Sequence, residues 1–86
     1  MLIPVELADA NAYLSERKHP MVATAVFCIG NDDGNGLNGV IVMSKENHET
    51  VRLAHACSDG SSGGYTTLYG AAWRAAKALG YKKIII

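Results

Sequence analysis

Hydrophobic and polar residues are arranged along the chain in seven segments that predict strands and helices. The segments are a strand at Leu2 to Val5, a helix at Ala8 to Lys18, strands at Val22 to Gly30, Leu37 to Met43 and Val51 to Cys57, a long helix at Tyr65 to Leu79, and a strand at Tyr81 to Ile86. Runs of β-branched residues between turn residues favour strands, whereas apolar residues spaced three and four apart favour helices. The order β-α-β-β-β-α-β predicts an α/β (α+β) fold with one mixed sheet.

Turn residues and helix stops predict how these elements connect. The stretch from Asn31 to Gly36 is dense in asparagine, aspartate and glycine, which is typical of an antiparallel hairpin. Gly80 follows the long helix as its stop, and the long helix lies between two apolar strands. That strand-helix-strand unit predicts a parallel last pair with a right-handed crossover. The predicted core stripe of the long helix comprises Leu68, Ala72, Ala75, Ala76 and Leu79.

Composition indicates one small globular domain spanning residues 1–86. The chain is 49% hydrophobic and 19% charged, and a core of this size is thin, so that stability usually needs good packing, a ligand or a partner chain. No run approaches the roughly 20 apolar residues of a membrane span. The N-terminus lacks the basic start of a signal peptide, and Cys28 and Cys57 have no CxxC spacing. We expect a cytoplasmic protein with two buried free thiols and no membrane contact.

Charge changes this picture in one respect. The net charge is zero, which argues against a nucleic-acid partner. All eight acidic residues nevertheless precede residue 60, whereas residues 60–86 carry four basic residues and no acid. A solvated helix face explains this bias, and so does attraction of an anionic cofactor.

The loop before the long helix is the main candidate for chemistry. It reads Cys57, Ser58, Asp59, Gly60, Ser61, Ser62, Gly63, Gly64. Glycines let backbone N–H groups turn inward, serines add hydroxyl donors, and a helix N-terminus favours anions, so the loop suits a pyrophosphate. It is neither a Walker A loop nor a GxGxxG motif. A helix-capping role explains the same composition, and Asp59 would repel a phosphate.

The last third of the chain resembles a known family. Its matching residues are Cys57-Ser58-Asp59-Gly60, Leu68-Tyr69-Gly70-Ala71-Ala72, Arg74-Ala75-Ala76, Ala78 and Gly80-Tyr81-Lys82-Lys83-Ile84-Ile85. They are similar to the segment C-(S/T)-D-G … LYGAA-x-RAA-x-A-x-GY-(K/R)-(K/R)-I-I of a small branch of GNAT-type N-acetyltransferases met in phages and prophages. The rest of the chain agrees only in element order. The resemblance implies the N-terminal half of a GNAT-like fold, truncated after its fifth strand, in a bacterial or phage-infected cell.

The resemblance also implies a cofactor and a place for it. In GNAT folds acetyl-CoA lies between two parallel strands that splay apart, here Val51–Cys57 and Lys82–Ile86, with its pyrophosphate on the loop between them. The implied cofactor-binding residues are Ala56, Cys57, Ser58, Gly60, Ser61, Ser62, Gly63, Gly64 and Tyr65. The family loop Arg/Gln-x-x-Gly-x-Gly/Ala falls on Gly60, Gly63 and Tyr65, so only the middle glycine is retained.

His55 is the candidate catalytic residue. It lies on a predicted central strand two residues before the loop, and an imidazole suits removal of a proton from an amine near neutral pH. The alternative is a histidine packed in the sheet and bonded locally. His19, His48 and His55 lack the spacing of metal ligands, so no metal site is predicted. The tyrosine that often protonates the CoA thiolate in the family would lie beyond Ile86.

The sequence leaves two functions open. One is a GNAT-like protein that binds acetyl-CoA and transfers its acetyl group to an amine. The other is a non-catalytic interaction module, for example a phage-encoded inhibitor on a truncated acetyltransferase scaffold. In that second case the apolar edge at Ile84 to Ile86 would pair with a second copy or another protein. An excised portion of a longer protein is a third possibility.

Overall fold

The computed structural model describes residues 1–59 and 64–86 and shows a mixed five-stranded sheet with two helices. The elements in chain order are β1 (Leu2–Val5), α1 (Leu7–Glu16), β2 (Phe27–Asp32), β3 (Leu37–Asn47), β4 (Thr50–Ser58), α2 (Gly64–Ala78) and β5 (Lys83–Ile85). The predicted mixture of α and β structure is confirmed. No helix among the described residues is long and apolar enough to cross a membrane.

The strands lie side by side in the order of the chain, β1-β2-β3-β4-β5. Each neighbouring pair is antiparallel except the last, in which β4 and β5 run parallel. The predicted hairpin is therefore confirmed between β2 and β3, where Gly34 and Gly36 take positive φ angles of 101° and 111°. The predicted parallel pair around α2 is confirmed as well, because a helix of this length can return the chain to the same end of the sheet.

The second strand begins later than its apolar pattern predicts. Residues 22–26 were expected to belong to the strand, but β2 starts at Phe27. Val22 is held instead by the side chain of Asn11 in α1, whose Oδ1 accepts from the Val22 N–H at 2.8 Å and whose Nδ2 donates to the Val22 carbonyl at 2.9 Å. Both backbone groups of Val22 are thus bonded to α1. Val26 is bonded to β3 instead, because its N–H donates to the Met43 carbonyl at 2.8 Å, so only the start of this segment is held on the helix.

Two hydrophobic cores occupy the two faces of the sheet. On one face Ala10, Tyr13 and Leu14 of α1 pack with four buried strand residues, Cys28, Val40, Val42 and Cys57. On the other face Leu68, Ala72 and Ala76 of α2 pack with Ile41, Met43 and Val51. Successive residues of β3 point to opposite faces, so this one strand supplies both cores. Both cysteines are free and buried, as predicted.

The predicted core stripe of α2 is wrong at its C-terminal end, where Leu79 was expected to be buried. Leu68, Ala72 and Ala76 are buried as expected, but the Leu79 side chain is 59% exposed. The helix ends at Ala78, which places Leu79 in the turn that follows and points it away from the sheet. Ala71 is buried in its stead, so the buried stripe is shifted toward the start of the helix.

Candidate functional site

The free edge of β4 is the first component of the candidate site. β5 pairs with β4 only from Thr50 to Arg52. From Leu53 to Ser58, β4 pairs with β3 on its inner side, and no described strand covers its outer side. Backbone N–H and C=O groups on such an edge are available to an extended ligand. The uncovered part of this edge therefore lies at the carboxyl end of β4.

A β-bulge lies where the uncovered outer edge of β4 begins. In the β3–β4 register Val42 is paired with His55 and Met43 with Leu53, so Ala54 is an extra residue without a partner across the ladder. An extra residue bends its strand and increases the local twist. The bulge therefore separates the half of β4 that pairs with β5 from the half whose outer edge is uncovered.

The start of α2 is the second component, and it lies close to the end of β4. A Cβ atom added to Gly64 would come within 3.9 Å of the Ser58 Oγ, and Gly64 takes a φ of 59° that glycine adopts easily. The first turn of α2 contains no acidic residue. The positive end of the α2 helix dipole therefore lies near the end of β4.

The structure locates five of the predicted cofactor residues, and they do not share one surface. Ala56 packs toward the α2 core, whereas Cys57 is buried in the α1 core on the opposite face. Ser58 is half-buried at the end of β4, Gly64 begins α2, and Tyr65 is 44% exposed. The other four, Gly60, Ser61, Ser62 and Gly63, lie outside the described residues. An edge ligand would contact β4 chiefly through its backbone, because alternate side chains point to opposite faces.

Gly39 on β3 allows α2 and β4 to approach each other at this end of the sheet. A Cβ atom at this position would lie 3.3 Å from the Cys57 carbonyl oxygen and 3.3 Å from the Leu68 Cδ1. Contacts this short would push the helix or the strand away. The absence of a side chain at Gly39 therefore contributes to the geometry of the candidate site.

His55 is half-buried on β4 and contacts a second histidine. Its Nε2 lies 3.0 Å from the Nδ1 of His19, and the two rings are arranged edge to face with centroids 5.0 Å apart. His19 lies just beyond the cap of α1, 36 residues before His55 in the chain. No sequence pattern connects the two residues, because their proximity depends on how α1 packs on the sheet.

A cavity of about 320 Å³ adjoins His55. It is lined by Pro20, Met21, Val22, Ala23, Thr24, Ser44, Arg52, Ala54 and His55. Arg52 is held by Glu46, whose Oε2 accepts from the Arg52 Nε at 3.0 Å. The cavity thus combines an imidazole, a paired guanidinium and hydroxyl groups beside the bulge in β4.

A larger groove of about 770 Å³ lies between α1 and the β2–β3 turn. Four carboxylates line it, those of Glu6, Asp9, Glu16 and Asp32, together with the guanidinium of Arg17. The excess of negative charge makes this groove unsuitable for an anionic cofactor. Its size therefore does not make it a competitor of the β4 edge for acetyl-CoA.

Two groups on the α1 face have perturbed pKa values. Burial raises the pKa of the Tyr13 hydroxyl, and the Arg17 guanidinium, 3.6 Å from the centre of the Tyr13 ring, opposes part of that rise. Burial also raises the pKa of the Cys28 thiol. Both groups are therefore kept neutral by the α1 core and are unsuited to act as nucleophiles near neutral pH.

No family model, curated protein or solved structure matches this chain. The candidate site is accordingly argued from its geometry and from the segment resemblance described above.

Proposed function

We propose that this chain is a GNAT-like protein that binds acetyl-CoA along the free edge of β4, with the pyrophosphate at the start of α2. One observation carries the proposal: β4 is paired with β5 only from Thr50 to Arg52, and from the bulge at Ala54 to Ser58 no described strand covers its outer edge. That edge is where the resemblance expects the pantetheine arm. A thioester arm that carries amide groups can hydrogen-bond to an exposed strand edge.

The helix dipole supports the start of α2 as the pyrophosphate position. The first turn of α2 contains no acidic side chain, and a helix N-terminus favours anions. Arg74, Lys77, Lys82 and Lys83 are all exposed on the same C-terminal unit. Lys83 pairs with Thr50, at the opposite end of β4 from Ser58, and the Lys82 Nζ lies 3.7 Å from the Glu49 Oε1. The positive charge of this unit would therefore attract an anionic cofactor to the molecule without marking the position of its pyrophosphate.

Acetyl transfer to an amine is the reaction that such a site would support. His55 is the candidate base, and its Nε2 is already engaged by His19. The proton of the attacking ammonium group would therefore go to the Nδ1 of His55. The amine nitrogen would then form a bond to the acetyl carbon, and the CoA thiolate would leave and take up a proton from solvent.

Calorimetric titration with acetyl-CoA tests the binding step, with desulfo-CoA and free pantetheine as partial ligands. We expect Tyr65→Glu to weaken binding on the order of tenfold, since a carboxylate within about 5 Å of two phosphate charges costs roughly 1–2 kcal/mol even in water. Ala78→Glu, at the other end of α2, makes a similar change of charge and should leave the affinity unchanged. Folded protein that gives no heat and no thermal shift at millimolar acetyl-CoA would overturn the proposal.

The second candidate function is a protein-interaction module that uses β5. Ile85 and Ile86 are 45% and 65% exposed on this short edge strand, and Leu79 is exposed nearby. An uncovered apolar edge can pair with a strand of another chain. Sedimentation equilibrium tests the homodimer: a concentration-dependent mass that Ile85→Lys abolishes would support it, and a clean monomer at high concentration would argue against it.

A further inference from the structure

The proposed binding of acetyl-CoA does not use the His19–His55 pair, and the proposed transfer step uses only the Nδ1 of His55. The two imidazole nitrogens face each other at 3.0 Å and belong to parts of the chain that are 36 residues apart. We propose that this pair binds one divalent transition-metal ion through His19 Nδ1 and His55 Nε2, with Cu²⁺ preferred over Ni²⁺ and Zn²⁺. Imidazole nitrogen binds all three ions, and Cu²⁺ generally binds such ligands more tightly than Ni²⁺ or Zn²⁺ does.

The backbone at both ends of the pair is held before any metal binds. The N–H of His19 donates to the Leu14 carbonyl at 2.9 Å, and Pro20 follows it directly. His55 lies in the β3–β4 ladder opposite Val42. Because both residues are fixed by the fold, binding a metal would order little more than two side-chain torsions.

The separation of the two nitrogens fits neighbouring positions in a metal coordination shell. With metal–nitrogen bonds of about 2.0–2.1 Å, ligands at right angles are about 2.9 Å apart and tetrahedral ligands about 3.3–3.4 Å apart. The observed 3.0 Å is a hydrogen-bond distance that lies within about 0.4 Å of both values, so small rotations of the rings would bring both nitrogens into one coordination shell. Metal binding replaces the shared proton: the donating ring moves that proton to its other nitrogen, and both rings turn so that their lone pairs converge.

The remaining coordination positions would be open. No third histidine, cysteine or carboxylate joins the pair in a metal-binding group among the described residues. The adjoining cavity of about 320 Å³ offers room for water ligands beside His55. Arg52 also lines that cavity, and its charge is partly offset by Glu46 at 3.0 Å. Such a site would leave the bound metal exchangeable.

Calorimetric titration with Cu²⁺ and with Zn²⁺ at pH 7.4, in a buffer that does not chelate metals, tests the proposal. The third histidine provides a matched control, because His48 lies in the β3–β4 turn with a side chain 85% exposed. We expect His19→Gln and His55→Gln each to weaken binding by at least the roughly 10–100-fold lost when an outer partner of a metal site is removed. His48→Gln should bind as the unaltered protein does.

Nitrogen-15 NMR of the unaltered protein with Zn²⁺ provides a second measurement that does not depend on whether the variants fold. The Nδ1 of His19 and the Nε2 of His55 should shift on metal binding while both nitrogens of His48 stay in place. The proposal is overturned if no metal binds at millimolar concentration, or if only the His48 nitrogens respond. A pair that shows only the scalar coupling of a shared proton, with Zn²⁺ present, would likewise overturn it.

Discussion

The two helices end with the same backbone motif, but with different residues in it. After α2, the Gly80 N–H donates to Lys77 O and the Tyr81 N–H donates to Ala76 O, both at 3.0 Å. After α1, the corresponding bonds run from Lys18 to Ser15 at 3.0 Å and from His19 to Leu14 at 2.9 Å. Both are Schellman caps, which require a left-handed residue at the position after the helix.

The difference lies at that left-handed position. Gly80 takes a φ of 96° at no steric cost, whereas Lys18 takes a φ of 62° with a side chain attached. Tertiary contacts must hold the strained end of α1, and they include the fully buried Leu14 and the contact of His19 with His55. The unstrained cap of α2 therefore leads the chain into β5, whereas the strained cap of α1 places His19 beside β4.

The largest effect is expected from Leu14→Ala, because this side chain is fully buried where α1 ends. Truncation should lower the free energy of unfolding by about 2–5 kcal/mol, measured by urea denaturation. Leu79→Ala at the end of α2 is the matched change at an exposed site, where the effect should stay within about 0.5 kcal/mol. Equal losses in the two variants would contradict the assignment of Leu14 as the anchor of α1.

Substitutions at the two left-handed positions should act in opposite directions. Gly80→Lys is expected to lower the free energy of unfolding by about 1–2 kcal/mol, and Lys18→Gly to raise it by about 0.5–1 kcal/mol. No described side chain crowds Gly80, so the first loss would be conformational. Lys18→Ala is the control, because alanine keeps the strain and should bring no gain. A Lys18→Gly variant that is no more stable would show that α1 ends without strain.

The free energy of unfolding should also fall at alkaline pH, because of titratable groups packed against α1. Since burial raises the pKa of Tyr13 above its usual value of 10.0, the unfolded chain loses this proton first as the pH rises. Stability contributed by the neutral hydroxyl is complete below the ordinary tyrosine pKa and is lost as the pH rises through the folded value. Urea denaturation between pH 8 and 11 should show a decline that is shallower in Tyr13→Phe. Cys28, whose pKa is also raised, adds to the decline, so Cys28→Ala serves as the second comparison.

The smallest effects on stability are expected from the cation that lies over an aromatic ring at the end of each helix. Arg17 lies 3.6 Å from the centre of the Tyr13 ring and also donates to the Tyr13 carbonyl, whereas the Lys77 Nζ lies 5.6 Å from the Trp73 ring. We expect Arg17→Gln to lower the thermal midpoint by an amount equivalent to about 0.5–1 kcal/mol, and Lys77→Gln by less. The reverse ranking would show that distance does not decide the strength of these contacts.

Only part of the candidate site could be predicted from the sequence. Ser58, Gly64 and Tyr65 were expected at the junction of a strand and a helix, and that junction is present. The bulge at Ala54 has no local sequence signal, because it depends on how β4 fits against β3. His19 was missed as a neighbour of His55 for a similar reason. A histidine-proline pair at a helix end indicates a stop, not which strand the histidine will meet.

By itself, the sequence determined which segments form helices and strands, the hairpin turn, and the glycine stop of α2. Those features follow from local preferences of residues close in the chain. Only the tertiary structure decided that Val22 bonds to α1 instead of joining β2, that Lys18 adopts a left-handed conformation, and that His19 meets His55. Each of these depends on packing between distant segments, whose contact energies exceed the local preference of the residue concerned.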